Sequence, residues 1–270
     1  MKLDGHSTLL TKLDGGVLHV TLNRPAVRNA MSLEMVSELR QVLREAEGTD
    51  DVRVLVIRGA GGNFCSGGDI GDMAATMSGS GNRDVDPLAE TSKAFGHICA
   101  AFSATSKAIV TVVEGVAMGG GFGLACVSDV CLASPDARFG LPETRLGLVP
   151  AQIAPFLVER LGYSRAKLLA VLGGNIRAEE ALRLGLVHEM SDDIESALAS
   201  SLESILACAP GALGATKRLL RKVHAFNAVD LIDEAASVFS AAMTGAEGRE
   251  GTQAFMGKRP PAWSTKGKAK

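Results

Sequence analysis

The sequence predicts an α/β protein in which strands and helices alternate through most of the chain and helices alone complete it. Two short, β-branched runs, VRVLVIRG and KAIVTVVEG, are typical of strands buried on both faces. From about residue 192 onward only helical periodicity is present, as in SALASSLESILACA. This order predicts an α/β core over residues 1–195 and a C-terminal helical region over residues 196–270.

The N-terminal part predicts a hairpin followed by an amphipathic helix. Asp14-Gly15-Gly16 separates two short strand-like runs, and an Asp-Gly pair is a common hairpin turn. The segment MSLEMVSELRQVLREAEG then has apolar residues at helical spacing. Ser32 is a suitable N-cap for this helix, and Gly48 is a suitable stop.

The middle of the chain predicts two more helices, one more strand, an irregular segment and a surface loop. SKAFGHICAAFSAT and AQIAPFLVERLG read as helices, SDVCLAS as a strand and ARFGLPETRLGLVP as an irregular segment. The run SGSGNRDVDP, residues 78–87, is small, polar and charged, which predicts a mobile surface loop.

Composition excludes several classes of function. The 28 basic and 30 acidic residues give a net charge of −2, so no nucleic-acid partner is expected. The five cysteines show no C-x-x-C spacing and the five histidines no i, i+3 or i, i+4 pair, so no disulfide framework and no metal site are expected. No stretch is long and apolar enough to suggest a membrane span or a leader, and we expect a cytoplasmic protein.

The segment GVAMGGGFGLACVSD, residues 115–129, is the most unusual part of the sequence. It does not fit a dinucleotide-binding turn, because the third glycine would fall on Leu124 or Cys126, and no GK[ST] of a phosphate loop follows. A tight turn between strand and helix accounts for part of the pattern. A further interpretation is that backbone N–H groups at the start of the helix bind a carbonyl oxygen that gains negative charge. Gly68, in FCSGGDI, could bring a second such N–H to the same oxygen.

Five segments in this order resemble the crotonase family, also called the enoyl-CoA hydratase/isomerase superfamily. They are LNRPAVRNAMS, NFCSGGDI, KAIVTVVEGVAMGGGFGLACVSD, ARFGLPETRLGLVP and EGTQAFMGKRPPAW, which span residues 22 to 263. The resemblance implies a spiral of ββα turns and a C-terminal helical region that forms homotrimers or dimers of trimers. It also implies an acyl-CoA thioester as substrate, with coenzyme A part of that substrate and no separate cofactor. The two oxyanion donors would be the N–H groups of Gly68 and Gly120.

The resemblance also implies a set of coenzyme A contacts. These residues are Arg24, Val27, Arg28, Ala30, Ser66, Gly68, Asp69, Ile70 and Gly120, joined by Phe255 and Lys258 acting from a neighbouring subunit. The alternatives are solvated loop charges at Arg24 and Arg28, a packed ring at Phe255 and a solvated amine at Lys258.

The carboxylates depart from the family pattern. Typical hydratases of the family use two glutamates; one is present here as Glu143, in FGLPE, and the other position is Gly123. A lone glutamate suits two reactions: activation of water for addition to an enoyl-CoA, or transfer of a proton between carbons in an enoyl-CoA isomerase. A surface carboxylate that caps a helix is the structural alternative for Glu143. The chain could also be a degenerate acyl-CoA-binding homologue or a thioester hydrolase.

The run LPETRLGLVPAQIAPFLVERLG resembles the subgroup that hydrates branched glutaconyl-CoA esters in leucine and acyclic terpene breakdown. Loss of the first glutamate would leave room for a branched substituent and would remove a charge that repels a substrate carboxylate. Arg145 or Gln152 is a candidate partner for that carboxylate; a solvated arginine and a helix-capping glutamine are the alternatives. Cys65 is interpreted as a small buried residue in preference to a nucleophile. Asp129 is interpreted as a structural hydrogen-bond partner.

Overall fold

A computed structural model describes residues 5–78, 86–223 and 225–264, with the side chains of 76–78 excepted. The strands are β1 Leu9–Asp14, β2 Val17–Leu22, β3 Val54–Gly59, β4 Ala108–Val113, β5 Val116–Met118, β6 Val130–Ala133, β7 Arg138–Gly140, β8 Asn175–Arg177 and β9 Glu189–Met190. The helices are α1 Leu33–Glu47, α2 Ile70–Ser78, α3 Pro87–Ala104, α4 Gly120–Val127, α5 Ala154–Leu161, α6 Tyr163–Leu172, α7 Ala178–Leu184, α8 Ile194–Leu206, α9 Pro210–Lys222, α10 Ile232–Thr244 and α11 Ala246–Met256.

The described strands form two sheets. The larger has the order β1-β2-β3-β4-β6-β9, in which only the β1–β2 pair is antiparallel. The smaller has the order β5-β7-β8, with β5 and β7 parallel. The predicted α/β class is therefore confirmed.

The N-terminal prediction is confirmed in detail. Asp14 pairs with Val17 across a turn in which Gly15 and Gly16 both have positive φ angles. The Ser32 side chain accepts a hydrogen bond from the backbone N–H of Met35 and so caps α1.

Strands β3 and β4 are buried on both faces, as their continuous apolar runs predict. Leu55 and Ile57 of β3 belong to the core that packs against α1, α3 and α4. Val54 and Val56 point to the other face, where they pack against α8. The large sheet thus lies between two apolar layers.

The C-terminal region contains helices, as expected, but its first helix covers the sheet. Helix α8 begins at Ile194, so the predicted division at residue 195 falls at its first turn, and its residues Ala197 and Leu198 are buried against the sheet. Arg53, at the start of β3, donates to the backbone oxygens of Leu206, Cys208 and Trp263. This guanidinium joins the end of α8 and the C-terminal segment to the core.

Two predicted segments differ from the structure or lie outside it. The segment predicted to be irregular contains strand β7 and a 3₁₀ helix at Glu143–Leu146. The strand forms because β5 and β8, which are distant in sequence, supply its partners. Of the loop predicted at residues 78–87, residues 79–85 lie outside the described part of the chain.

Among the described residues, no single helix has both the length and the apolar composition to cross a bilayer. Helices α8 and α9 meet these criteria only together, across a 96° bend.

Candidate active site

Two glycine-containing segments lie side by side, one in the loop between β3 and α2 and one directly after β5. The backbone N–H of Cys65 donates to Val116 O at 2.9 Å, and the N–H of Met118 donates to Cys65 O at 2.9 Å. Beyond this pairing, a Cβ atom on Gly119 would lie 3.8 Å from the Cα atom of Gly67. The residues that follow, Gly68 and Gly120, are therefore carried by adjoining stretches of backbone.

Helix α4 begins at Gly120 and directs its first N–H groups toward this junction. Gly119 precedes it with φ 48° and donates its own N–H to Gly140 O at 2.9 Å. Within residues 5–78, 86–223 and 225–264, no acceptor is found for the N–H of Gly68 or of Gly120. The first N–H groups of a helix have no partner within it, so the two glycines offer a pair of backbone donors for an external oxygen.

Glu143 lies beside this pair of donors. A Cβ atom on Gly119 would be 2.9 Å from Glu143 Oε1, so only glycine leaves room for the carboxylate there. Glu143 Oε2 is buried and has no hydrogen-bond partner within the described part of the chain. Burial raises the pKa of Glu143 above its ordinary value, although a hydrogen bond from its own backbone N–H acts in the opposite direction. A carboxylate with these properties is suited to accept and return a proton.

The position of the second family glutamate, Gly123, is closed by apolar side chains. A Cβ atom there would lie 2.4 Å from Ile153 Cγ2 and 3.5 Å from Phe95 Cζ. The expectation that Gly123 leaves room for a branched substituent is wrong, because Ile153 fills that space. The other expectation, that Gly123 removes a negative charge that would repel a substrate carboxylate, does not depend on this space. Phe95 and Ile153 could not be identified as wall residues from the sequence, because they come from α3 and the start of α5.

Gly123 and Ile153 should show strong coupling in a double-mutant cycle. Gly123→Ala is expected to destabilise the fold by about 1–3 kcal/mol through overpacking against Ile153 Cγ2, and Ile153→Ala by about 2–5 kcal/mol through a cavity. In the double variant the methyl group added at position 123 would enter the cavity left by Ile153. The double variant should therefore lose less free energy of unfolding than the two single variants together. Urea unfolding measures all three. Gly174→Ala is the control, since a Cβ there meets nothing within 4 Å; simple additivity would contradict the packing.

The predicted coenzyme A loop is tightly bent. Arg28 and Asn29 have φ angles of 50° and 57°, in the left-handed region. Asn29, which was not predicted as a site residue, is buried and donates to Ala60 O and Asn63 O while its Oδ1 accepts from Arg24 N. Asparagine tolerates this conformation and can bond locally, so an asparagine in this turn was a sequence signal from which the role of Asn29 could have been found.

The same loop contacts the Gly68 segment. Ser66 donates its hydroxyl to Val27 O at 3.0 Å and its backbone N–H to Arg28 O at 3.0 Å. The side chains of Val27 and Arg28 are exposed, and Ala30 is half-buried. The structure thus brings together the predicted contacts from residues 24–30 and 66–70.

Arg24 and Asp69 form an ion pair within this junction. Arg24 Nη1 lies 2.8 Å from Asp69 Oδ2 and 2.6 Å from Ala30 O. The hydrogen bond from Arg24 holds the pKa of Asp69 below its ordinary value. Ile70 follows and leaves 66% of its surface exposed.

Phe255 and Lys258 lie in the C-terminal region, on α11 and just after it. Phe255 is 86% exposed, and Lys258 has a left-handed φ angle of 49°. The packed ring weighed as the alternative for Phe255 is therefore wrong for a single chain. A contact of either residue with coenzyme A stays a prediction.

The two candidate partners of a substrate carboxylate lie in different surroundings. Arg145 is exposed and donates Nε–H to Leu172 O at the end of α6. Gln152 donates Nε2–H to Ser92 Oγ at 3.0 Å and packs against α3, where a Cβ on Gly96 would be 2.1 Å from Gln152 Oε1. Helix α5 has no side-chain cap, so the interpretation of Gln152 as its cap is wrong.

Cys65 and Asp129 have structural roles, as interpreted from the sequence. Burial raises the pKa of the Cys65 thiol to about 11, which keeps it protonated and unreactive. Asp129 Oδ2 accepts from the backbone N–H of Ile109 at 2.7 Å and from Lys217 Nζ at 2.6 Å.

A family model and several known proteins match this chain along nearly its whole length. The family model described as enoyl-CoA hydratase/isomerase matches residues 12–266. The solved structure of Pseudomonas aeruginosa AtuE superposes with a TM-score of 0.92 at 49% identity, covering 96% of this chain and 100% of that one. Two Escherichia coli K12 relatives are the 1,2-epoxyphenylacetyl-CoA isomerase, 31% identical over 96% of this chain and 98% of its own, and the 2,3-dehydroadipyl-CoA hydratase, 32% identical over 94% and 98%.

Proposed function

The chain belongs to the enoyl-CoA hydratase/isomerase family, and we propose that it adds water to an α,β-unsaturated acyl-CoA with a single catalytic glutamate. The observation that carries the proposal is the half-buried carboxylate of Glu143, which lies next to Gly119 at the start of the helix that offers the Gly120 N–H. One base beside two backbone donors is sufficient for an addition that passes through a thioester enolate.

The reaction balances with these groups alone. The thioester oxygen accepts hydrogen bonds from the N–H groups of Gly68 and Gly120. Glu143 takes a proton from water as the oxygen of that water bonds to the β-carbon, and the double-bond electrons move onto the thioester oxygen. The protonated Glu143 then returns the proton to the α-carbon, the carbonyl forms again, and the carboxylate is restored.

We propose a branched glutaconyl-CoA ester as the substrate, of the kind formed in leucine or acyclic terpene breakdown. Gly123 supports this choice, because the wall formed by Phe95 and Ile153 carries no charge that would repel a substrate carboxylate. Gln152 is the better placed of the two candidate partners. It adjoins Ile153 and packs beside Gly96, next to Phe95, whereas Arg145 is engaged at the end of α6.

The assembly proposed is a homotrimer or a dimer of trimers, with a cytoplasmic location. Apolar side chains left exposed on the C-terminal helices support an assembly, among them Phe239 at 71% and Phe255 at 86%. Light scattering measures the mass of the assembly and so distinguishes a trimer from a hexamer. In such an assembly Phe255 is proposed to contact the coenzyme A bound by a neighbouring subunit.

Substrate identity is tested with four thioesters: crotonyl-CoA, 3-methylglutaconyl-CoA, isohexenylglutaconyl-CoA and a 3-enoyl-CoA, with products identified by mass and chromatography. A gain of one water on a glutaconyl ester supports the proposal. Conversion of the 3-enoyl ester without change of mass would make the enzyme an isomerase, and release of free coenzyme A together with the carboxylic acid would make it a thioester hydrolase. Retained acyl-CoA binding without turnover would indicate a binding protein.

Gln152→Leu should lower the preference for glutaconyl over crotonyl esters, because an unpaired substrate carboxylate loses about 1–3 kcal/mol, or about five- to 150-fold. The measurement is the ratio of kcat/KM for the two esters. Arg145→Leu is the matched control and should leave that ratio unchanged; the reverse pattern would assign the carboxylate to Arg145.

A further inference from the structure

Arg24 Nη1 and both carboxylate oxygens of Asp69 are engaged in bonds within the protein. Arg24 Nη1 bridges Asp69 Oδ2 and Ala30 O, at 2.8 and 2.6 Å. The other carboxylate oxygen, Asp69 Oδ1, accepts from the backbone N–H groups of Gly71 at 2.9 Å and Asp72 at 3.3 Å, where α2 begins. Both side chains of the ion pair are largely buried, at 26% and 17% exposure. An anion of the substrate would have to compete with this short internal ion pair to bind Arg24 Nη1.

We propose that the Arg24–Asp69 ion pair positions the Gly68 N–H that binds the enolate oxygen, and that its role is not to contact coenzyme A. The inference rests on the proposed enolate chemistry. Because Asp69 directly follows Gly68 in the chain, contacts that fix Asp69 also restrict the orientation of the Gly68 backbone.

The backbone on both sides of Gly68 is bound to Met31. The N–H of Met31 donates to Gly67 O at 2.8 Å, and the N–H of Asp69 donates to Met31 O at 3.0 Å. Met31 and Gly68 thus form a parallel β-bridge, which leaves the Gly68 N–H on the edge of this segment that faces away from Met31. Gly67, just before it, lies next to Gly119. The ion pair acts on the same contact, since Arg24 also holds Ala30 O, one residue before Met31.

A positioning device is needed here because the segment is intrinsically flexible. Gly67 has a φ angle of 104°, Gly68 is exposed, and consecutive glycines have the greatest backbone freedom. An oxyanion donor must lie within about 2.7–3.1 Å of the oxygen, and a displacement of about 1 Å can cost about a hundredfold in rate. The ion pair restricts that freedom from a partly buried position.

Arg28 then becomes the cation of this loop that is free to meet a phosphate of coenzyme A. Its side chain is exposed, and within the described part of the chain no ion-pair partner is found for it. The two arginines predicted as equivalent contacts are thus separated by the structure into one that positions backbone and one that faces solvent.

The experiment compares Arg24→Met, Asp69→Asn and the double variant with wild type. Asparagine keeps the Oδ1 acceptor that caps α2 but turns an amide toward Arg24, so it removes the ion pair alone. Three measurements are made: steady-state kinetics on the best substrate, which give kcat and KM; calorimetry, which gives the affinity for free coenzyme A; and near-ultraviolet absorbance, which gives the fraction of bound acetoacetyl-CoA present as its enolate. Arg40→Met, an exposed arginine on α1, is the control.

Each single variant is expected to lower kcat and the enolate fraction, with a loss in kcat of about tenfold to a hundredfold, while the affinity for free coenzyme A stays at the wild-type value. The double variant should lose little more than either single one, because both remove the same ion pair. Arg40→Met should resemble wild type in all three.

Weaker binding of free coenzyme A with an unchanged enolate fraction would overturn the inference and make Arg24 a substrate contact. A wild type that forms the enolate without hydrating any ester would refute the proposed hydratase activity, yet loss of that enolate in the variants would still support the positioning role. A wild type that forms no enolate would overturn both.

Discussion

Glu143→Gln is expected to lower kcat by about 10²-fold to 10⁴-fold, the range contributed by a positioned general base. The amide has nearly the same shape, so it should still fit against Gly119, but it cannot accept the proton of water. Affinity for the acyl-CoA should therefore change little. Steady-state kinetics on the ester that wild type hydrates, together with acyl-CoA binding, separate these two effects.

The pH dependence of the wild type provides an independent check on Glu143. Burial disfavours the charged carboxylate and raises its pKa, so kcat/KM should fall as the pH decreases through a value above that of an exposed glutamate, about 4.3. This limb should be absent from the residual activity of Glu143→Gln. A carboxyl whose pKa is higher in the folded state than in the unfolded state destabilises the fold once it is ionised, at pH values above the folded-state pKa. Near pH 7, Glu143→Gln should therefore unfold at the same temperature as wild type or at a higher one.

Glu34→Gln is the matched control, since Glu34 is exposed on α1. It should retain wild-type kcat and the same pH profile. Full activity of Glu143→Gln would mean that another group activates water and would refute the single-glutamate mechanism. If the unfolding temperature of Glu143→Gln fell together with its kcat, the carboxylate would instead be structural.

The features that sequence predicted well are those with a local or periodic cause. The continuous apolar runs of β3 and β4 require burial on two faces, and the sheet provides it on both. The cap at Ser32 and the turn at Gly15 depend on neighbouring residues alone. The expectation that Gly68 and Gly120 offer N–H groups to one oxygen came from two local glycine-rich segments, FCSGGDI and GVAMGGGFG, and these segments do adjoin in the structure.

The features that sequence missed depend on contacts between distant segments. Ile153 occupies the space opened by Gly123, although the two residues lie 30 positions apart in the chain. Arg24 and Asp69 were each interpreted as contacts of coenzyme A, because a single sequence does not show that they bond to each other. Strand β7 likewise exists only because β5 and β8 flank it.

Gly120→Pro is expected to lower kcat by about 10²-fold to 10³-fold, the cost of losing one oxyanion donor. Proline has no backbone N–H, so the substitution removes the donor directly, and the first position of a helix is where proline fits best. Gly120 occupies that position in α4, and its N–H has no acceptor within the described residues. The helix should therefore form while the thioester oxygen of the substrate loses one of its two hydrogen-bond donors. KM should rise as well, because the proline ring would contact that oxygen.

Gly120→Ala separates the donor from the added atoms. Its Cβ would lie 3.2 Å from Phe95 Cζ, a ring edge that needs to shift by only a few tenths of an ångström, and its N–H is retained. It should therefore keep much more activity than the proline variant, with circular dichroism and urea unfolding confirming that both are folded. Equal losses of kcat in two folded variants would assign the effect to crowding at Phe95. In that case the Gly120 N–H would not be the group that stabilises the enolate.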